Sequence, residues 1–322
     1  MKKWKKRAGA LLAAGVLGVS LAACSPTESS SGTASTTAAA TREISNMSAE
    51  QVIAEVQKAQ DAVTTNAVAM QANIQLGMSM GQESMAMNGV MDIQVQENPM
   101  RMRMAMDLES DGMTETVEMY MDVSDDGSTG NLYMQQGGQW YKMHTSDMST
   151  FQAAMEDSYA QSADVDAYFG DDIDLYTNKG TQTVNGKETV LLEAVFSGQD
   201  MIDMMEQTGT MDQVEQQFST LGMNAADLFG QGSMTVGVYV DTETLLPVRM
   251  SIDMTEWMQG AMDNLMGSLT SMVSSPETAI SIDNYRIDMD ITGWGEEVKV
   301  EVPSSVLGAQ DLGEIDFDSL QL

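Results

Sequence analysis

From Val68 to Met121 apolar and polar residues alternate with a period of two, in four runs separated by short segments that carry glycine, asparagine or proline. A period of two puts every second side chain on the same side of a strand, so such a chain buries one face of a sheet and leaves the other wet. The even positions from Val68 to Met80 are Val, Met, Ala, Ile, Leu, Met and Met. The odd positions of 85–95 are Met, Met, Gly, Met, Ile and Val, and 99–110 places methionine at 100, 102, 104 and 106. In 113–121, Met113, Val117, Met119 and Met121 share a face with Glu115. The runs read as consecutive antiparallel strands joined by hairpins. Their methionines (Met70, Met78, Met80, Met85, Met87, Met91, Met100, Met102, Met104, Met106, Met113, Met119 and Met121) all fall on the apolar side.

Around this meander the pattern changes. Residues 48–66 place Val52, Ile53, Val56, Ala59 and Val63 on one helical face, with Ser48 and Gln51 spaced as a capping box. Strands are expected at 132–135 and 140–144 around Gly137-Gly138, and a helix at 147–161. A second strand group is expected at 173–177, 181–184 and 189–196, the last two flanking an Asn185-Gly186 turn. Residues 200–229 read as helical pieces broken near Gly209 and Gly222. A hairpin at 234–241 and 245–254, a helix at 255–273 and strands at 280–291 and 298–302 close the chain. No stretch between 45 and 318 has the composition of a linker. The expectation is one α+β domain, a large, strongly curved antiparallel sheet with helices packed on its concave face.

The first 24 residues have a basic start, an apolar run from Ala8 to Ala23 and then the only cysteine of the chain. That is the layout of a secretory signal, and the run is short for a membrane span of about 20 residues. Leu21-Ala22-Ala23-Cys24 resembles the lipobox of bacterial lipoproteins, in which the cysteine receives a diacylglycerol and becomes the new N-terminus. The expected organisation is a signal at 1–23, a lipidated Cys24 with a Ser/Thr-rich tether to 44, and a folded domain over 45–322. An 18-residue tether over 25–42 would hold the domain roughly 20 to 25 Å from the membrane. The place this predicts is the outer face of the bacterial cytoplasmic membrane, with the membrane as partner through the lipid on Cys24.

The signal holds five of the 15 basic residues and no acidic one, which leaves ten against 48 in the mature chain, a formal charge of −38. Such a surface repels nucleic acid and anionic headgroups. With one histidine and a cysteine reserved for lipid, no nucleophile–base pair can be nominated, so the chain reads as non-catalytic, without cofactor or resident metal. Asp122, Ser124, Asp126 and Gly127 match the opening of a calcium loop, but the twelfth position is Tyr133 instead of glutamate, and an acidic hairpin turn fits better. The M-x-M pairs 78/80, 85/87, 100/102, 104/106 and 119/121 present thioethers suited to copper(I), and are also what an amphipathic strand gives when methionine is its apolar residue.

Methionine has three rotatable side-chain bonds and a polarizable sulfur, so a face made of it repacks around differing shapes and specifies a rigid core poorly. Two readings follow. The face lines a cavity for variable apolar ligands such as acyl chains, or it is the core of a structural or interaction lipoprotein.

The motif order adds to this. After lipobox and tether come a short helix, a meander, Gln139-Trp140-Tyr141-Lys142, then V-Y-V-D-T-E-T-L-L-P-V-R-M from Val238 to Met250 and W-G-E-E-V-K-V-E-V-P from Trp294 to Pro303. This order resembles a group of uncharacterised Gram-positive lipoproteins, similar in layout to the LolA/LolB lipoprotein carriers and to mycobacterial lipid-binding lipoproteins. The resemblance implies an unclosed half-barrel with helices on its hollow side, an apolar cavity between them, and no catalytic residues. The helix at 255–273 departs from it as an insertion between two strands, and no basic patch is present to receive an anionic headgroup.

Replacing Cys24 with alanine removes the acceptor thiol. The variant is expected to lose incorporation of labelled fatty acid and to fail to mature at the lipobox, read on a gel; labelling equal to wild type would refute lipidation at this residue.

Overall fold

The computed structural model describes residues 44–60, 62–63, 67–96, 99–110, 113–146, 148, 173–208, 211, 224–272, 280–295 and 298–314. The signal, Cys24, the tether, the helix expected at 147–161 and the breaks near Gly209 and Gly222 lie outside the described residues.

Period-two alternation becomes strand wherever it was read in the meander. β1 (Val68–Met80), β2 (Glu83–Gln96), β3 (Arg101–Ser110), β4 (Met113–Val123), β5 (Gly130–Gln136) and β6 (Gln139–Thr145) follow one another in antiparallel pairs. The β1–β2 link is two residues, Gly81-Gln82, with Gly81 at φ 65, as a tight hairpin turn requires. β7 (Thr177–Val184) and β8 (Lys187–Ser197) turn through Asn185 and Gly186, both at positive φ, and β9 (Ser233–Asp241), β10 (Pro247–Asp253) and β11 (Ile280–Trp294) follow. A short β12 (Gln310–Glu314) ends the series. All twelve form one open sheet in the order β12-β6-β5-β4-β3-β2-β1-β11-β10-β9-β8-β7, antiparallel except where β12 joins β6. The N-terminal meander and the second strand group thus meet at the β1–β11 seam, where 13 residue pairs are in register around two bulges. The fold is α+β, an open half-barrel.

Helices cover one face. α1 (Ala49–Gln60) starts at the expected capping box, the Gln51 N–H donating to Ser48 Oγ at 3.3 Å and the Ser48 N–H to Gln51 Oε1 at 3.0 Å. α2 (Gly198–Thr208) begins the same way, with Ser197 and Asp200 as the reciprocal pair. Ile44, Val52, Ile53 and Val56 from the α1 region and Met201, Ile202 and Met205 from α2 pack into one core with Val68, Val95, Leu192 and Val238 of the sheet.

α3 (Ala225–Phe229) and α4 (Thr255–Met272) lie beside them. α4 is inserted between paired strands β10 and β11, as expected, and the register shows what it does there. β10 pairs with β11 only over Arg286 to Asp290, which leaves the edge of β11 from Ile280 to Tyr285 without a strand partner. α4 and its approach supply partners instead. The Tyr285 carbonyl accepts from Met254, the Tyr285 N–H donates to Thr255 Oγ1 at 2.9 Å, and the Ile282 N–H donates to Gln259 Oε1 at 2.6 Å. A bare strand edge is a pairing hazard, and the insertion closes it.

Two expectations fail. Residues 173–177 do not form a strand: a 3-10 turn at Ile173–Leu175 swings Tyr176 into the core before β7 begins. Residues 298–302 form no ladder either. They cross the opposite, outward face of the sheet, where Val300 and Val306 pack on Tyr120 and Tyr133, and the Val300 N–H donates to Gln96 Oε1 at 2.9 Å. After α5 (Ser304–Leu307) the chain adds β12 to the β6 edge. The alternating valines were read as ladder residues, yet burying an apolar side chain on Tyr120 satisfies the same pattern.

Leu192 is fully buried in the core and Met85 is 51% exposed. Leu192→Ala is expected to lower stability by about 2–5 kcal/mol, and Met85→Ala to stay within about 0.5 kcal/mol, in urea unfolding. Equal losses would contradict the placement of the core.

Candidate functional site

Directly paired residues of neighbouring strands point to the same side, so the registers define rows of side chains across the sheet. One row runs Leu192, Val238, Met250, Met289, Ala72, Met91, Met106, Val117. The next runs Ile291, Met70, Ile93, Met104, Met119, Met134, Tyr141, and a third Trp294, Val68, Val95, Met102, Met121, Leu132, Met143. Near the β1–β2 turn, Met78 stands opposite Met85, and Met87 opposite Leu76. Met80 is opposite Glu83, and Met113 is paired with Ser110 at the end of β4. Met100 lies just before β3, its carbonyl accepting the Val123 N–H at 3.0 Å, and its side chain packs with Met121, Val123 and Met148.

The rows are not uniform. Over β8 and β9 the face is lined by Val190, Leu192, Ala194, Val236, Val238 and Val240, each at most 1% exposed. Over β1 to β5 it is lined mostly by methionine, of which Met91 and Met121 are buried and Met70, Met102, Met104, Met106 and Met119 are half-buried. Met70, Met102, Met104 and Met106 still touch the core cluster, while Met80 and Met85 are 48% and 51% exposed at the hairpin end. Stiff branched side chains therefore occupy the sealed half, and flexible thioethers the half that is only partly covered.

Sequence reasoning missed five members of this face. Met134, Met143, Met234, Met250 and Met289 were counted outside the methionine strands, yet pairing with Met119, Leu132, Phe196, Val238 and Ala72 sets them on the same side. The alternation around each is visible, and for Met143 and Met250 so is the hairpin partner; what the sequence leaves open is that these strands join the meander in one sheet with these side chains on its methionine face. Trp294 was also overlooked. Its indole Nε1 is buried without a hydrogen-bond partner among the described residues, on a side chain packed against the core. A buried donor left unpaired is costly and calls for an acceptor.

Hollows among the described residues include two that bear on this face and its rim. One of about 10 Å³ sits between Met121, Leu132, Met143 and Met148, too small for more than a water. Met148 fits there because residue 130 is glycine, where a Cβ would come within 2.6 Å of its sulfur. The other, an open groove of about 500 Å³, is polar, lined by Thr235, Asp253, Glu256, Asp283 and Arg286 at the start of α4.

The outward face consumes the sheet's cations. Arg249 holds Asp290 through two hydrogen bonds of 2.6 and 2.8 Å, Arg101 pairs with Asp122 at 2.7 Å, and Arg286 with Asp288 at 2.9 Å. Arg103 donates to Glu118 at 2.9 Å beside Tyr120, whose hydroxyl is pushed up first by burial and then by its own bond to Glu118. His144 lies on this face opposite Asn131, its Nδ1 3.5 Å from Asp311. In the Asp122–Gly127 turn the Asp126 carboxylate accepts from the Ser124 hydroxyl at 2.6 Å and from the Ser128 N–H and hydroxyl, which holds it down at about 2. These bonds fold the turn upon itself, the hairpin reading of that motif. Among the described residues no group of three or more His, Cys, Asp or Glu is arranged to hold a metal, and no helix is long and apolar enough to cross a membrane.

No curated protein matches the sequence. Among solved structures, LprF from Mycobacterium bovis is similar at 13% identity with a TM-score of 0.36, over 80% of this chain and 96% of that one. The Mycobacterium tuberculosis lipoprotein LppX is similar at 12% identity with a TM-score of 0.35, over 78% of this chain and 99% of the other. A DUF1329 family protein from Desulfovibrio piger follows at 10% identity and a TM-score of 0.20, over 79% and 93%. A family model matches residues 48–292, the greater part of the chain including β1 to β10 and most of β11, and the protein therefore belongs to a family of unknown function, DUF6612.

Proposed function

We propose that this protein is a non-catalytic lipoprotein, anchored through Cys24 to the outer face of the cytoplasmic membrane, that binds an apolar ligand such as an acyl chain or lipid on the methionine face of its half-barrel. The observation that carries the reading is the division of one sheet face into a sealed valine-rich half and a half-buried methionine half. A side chain that rearranges at little cost suits an occupant of variable shape, and a partly covered apolar face gains about 25 cal/mol for every Å² a ligand removes from water. Trp294 adds a polar handle. Its unpaired N–H would take a carbonyl, carboxyl or hydroxyl oxygen of the ligand, as apolar pockets with a few fixed polar groups do. The Ser/Thr-rich tether supports the same reading by keeping the domain close to a bilayer, where such ligands reside.

The test is native mass spectrometry with lipid extraction on the chain from Ser25 onward, secreted by a bacterial host. Wild type is expected to carry a bound acyl species, and Met102→Trp/Met104→Trp at least tenfold less of it, with unchanged circular dichroism. An empty protein that also ignores added fatty acids and phospholipids would overturn the proposal and make the face the core of a structural or interaction lipoprotein.

A further inference from the structure

The methionines at the end of the β1–β2 hairpin stand apart from those that touch the core. Met78 and Met80 on β1 and Met85 and Met87 on β2 share one face within five residues of the Gly81-Gln82 turn. Met78 and Met85 are directly opposed, and Met80 and Met85 are each about half exposed. None of the four is packed into the clusters that hold Met70, Met102, Met104 and Met106. Burial therefore does little to explain Met80 and Met85, which leave about half their surface in water at positions where a polar residue would serve the strand equally well.

Their chemistry supplies another reason. A thioether is a neutral, soft donor that takes no proton in water, and the biological cation it suits is copper(I). The spacing permits convergence. Met78 is opposed to Met85 and Met80 is the diagonal neighbour of Met85, Cβ separations of about 4.5–5.5 Å and 7–8 Å, and three rotatable bonds carry each of these sulfurs inward, whereas Met87, opposite Leu76, lies too far along the strand from Met80 to share one ion with it. The positions on the adjoining strand β11, Ile282 beside Met78 and Ile280 beside Met80, bring no oxygen donor. One carboxylate, Glu83 opposite Met80, lies on the same face, and its single charge balances that of a monovalent ion while offering no chelate to a hard divalent one. The strongly acidic surface of the chain raises the local concentration of any cation.

We propose that Met78, Met80 and Met85 form a copper(I) site at the tip of this hairpin, beyond the half-buried part of the methionine face and independent of whether that part binds lipid. Assembly of the site breaks no covalent bond and transfers no electron; Cu(I) exchanges the coordinate bonds to its carrier for bonds to three thioether sulfurs. Register, exposure and the chemistry of the neighbours select these three from the five M-x-M pairs, since Met87 lies out of reach of Met80 and the others lie where the core or β4 and β5 already hold them.

The experiment is an anaerobic titration of the full mature lipoprotein in detergent with Cu(I), in competition with a chromophoric Cu(I) chelator and in excess Zn(II), followed by X-ray absorption at the copper edge. One equivalent bound through sulfur, undisturbed by Zn(II), is expected. Met80→Leu/Met85→Leu is expected to weaken binding at least tenfold with unchanged circular dichroism, while Met102→Leu/Met104→Leu binds as wild type. Failure to compete above a detergent blank, oxygen-only coordination, displacement by Zn(II), or a hairpin variant that binds like wild type would each overturn the site.

Discussion

A row of side chains crosses eight strands from Leu192 to Val117 on one face of a single open sheet, and the rest of the structure depends on how that face is kept from water. A closed barrel would seal it by curvature, and a sandwich by a second sheet. Here α1, α2 and Trp257 of α4 pack into the core cluster with β8, β9 and the nearer halves of β1 and β2, and over β8 and β9 the lining is largely branched and fully buried. Toward β3, β4 and the hairpin tip, coverage thins and methionine takes over. The change of residue type follows the change of burial, because a β-branched side chain gains most where its neighbours are fixed and a flexible one loses least where they are not.

Holding so long a sheet together poses the opposite problem at its edges and its outer face. The unpaired stretch of β11 is capped by side chains of α4, and the β6 edge is extended by β12 after the chain has laid Val300 and Val306 over Tyr120 and Tyr133. The strand arginines of the outer face are paired with carboxylates across or along the strands, so the few cations of an acidic chain are used where like charges would otherwise face one another. Among the described residues each strand arginine of the outer face is thus paired with a carboxylate.

Much of this was legible because alternation is a local property. The strands from Val68 to Met121, the Asn185-Gly186 turn, the Ser48–Gln51 cap and the inserted helix all came from residues within a few positions of one another. The misreadings share one cause. Residues 298–302 alternate like a strand, and only the presence of Tyr120 and Tyr133 opposite them decides that they cross the sheet instead of joining it. Residues 173–177 are rich in strand formers, and only the core waiting for Tyr176 bends them into a turn. The same holds at the site: thirteen methionines were assigned to one face from spacing, whereas Met134, Met143, Met234, Met250 and Met289 joined them only through the pairing of their strands into one sheet, Met289 with Ala72 from the far end of the chain.

The sequence by itself determined which side chains lie on a common face of each strand, because a pleated strand turns successive residues to opposite sides whatever it pairs with. It also determined the acidic balance, with a single histidine and a single cysteine. Only the tertiary structure decided strand order, the β1–β11 seam, and hence which methionines are core, which are half-covered and which stand exposed at the hairpin tip. Pairing between segments two hundred residues apart is set by the total burial that one arrangement achieves over its rivals, and that sum is a property of the whole chain rather than of any stretch of it.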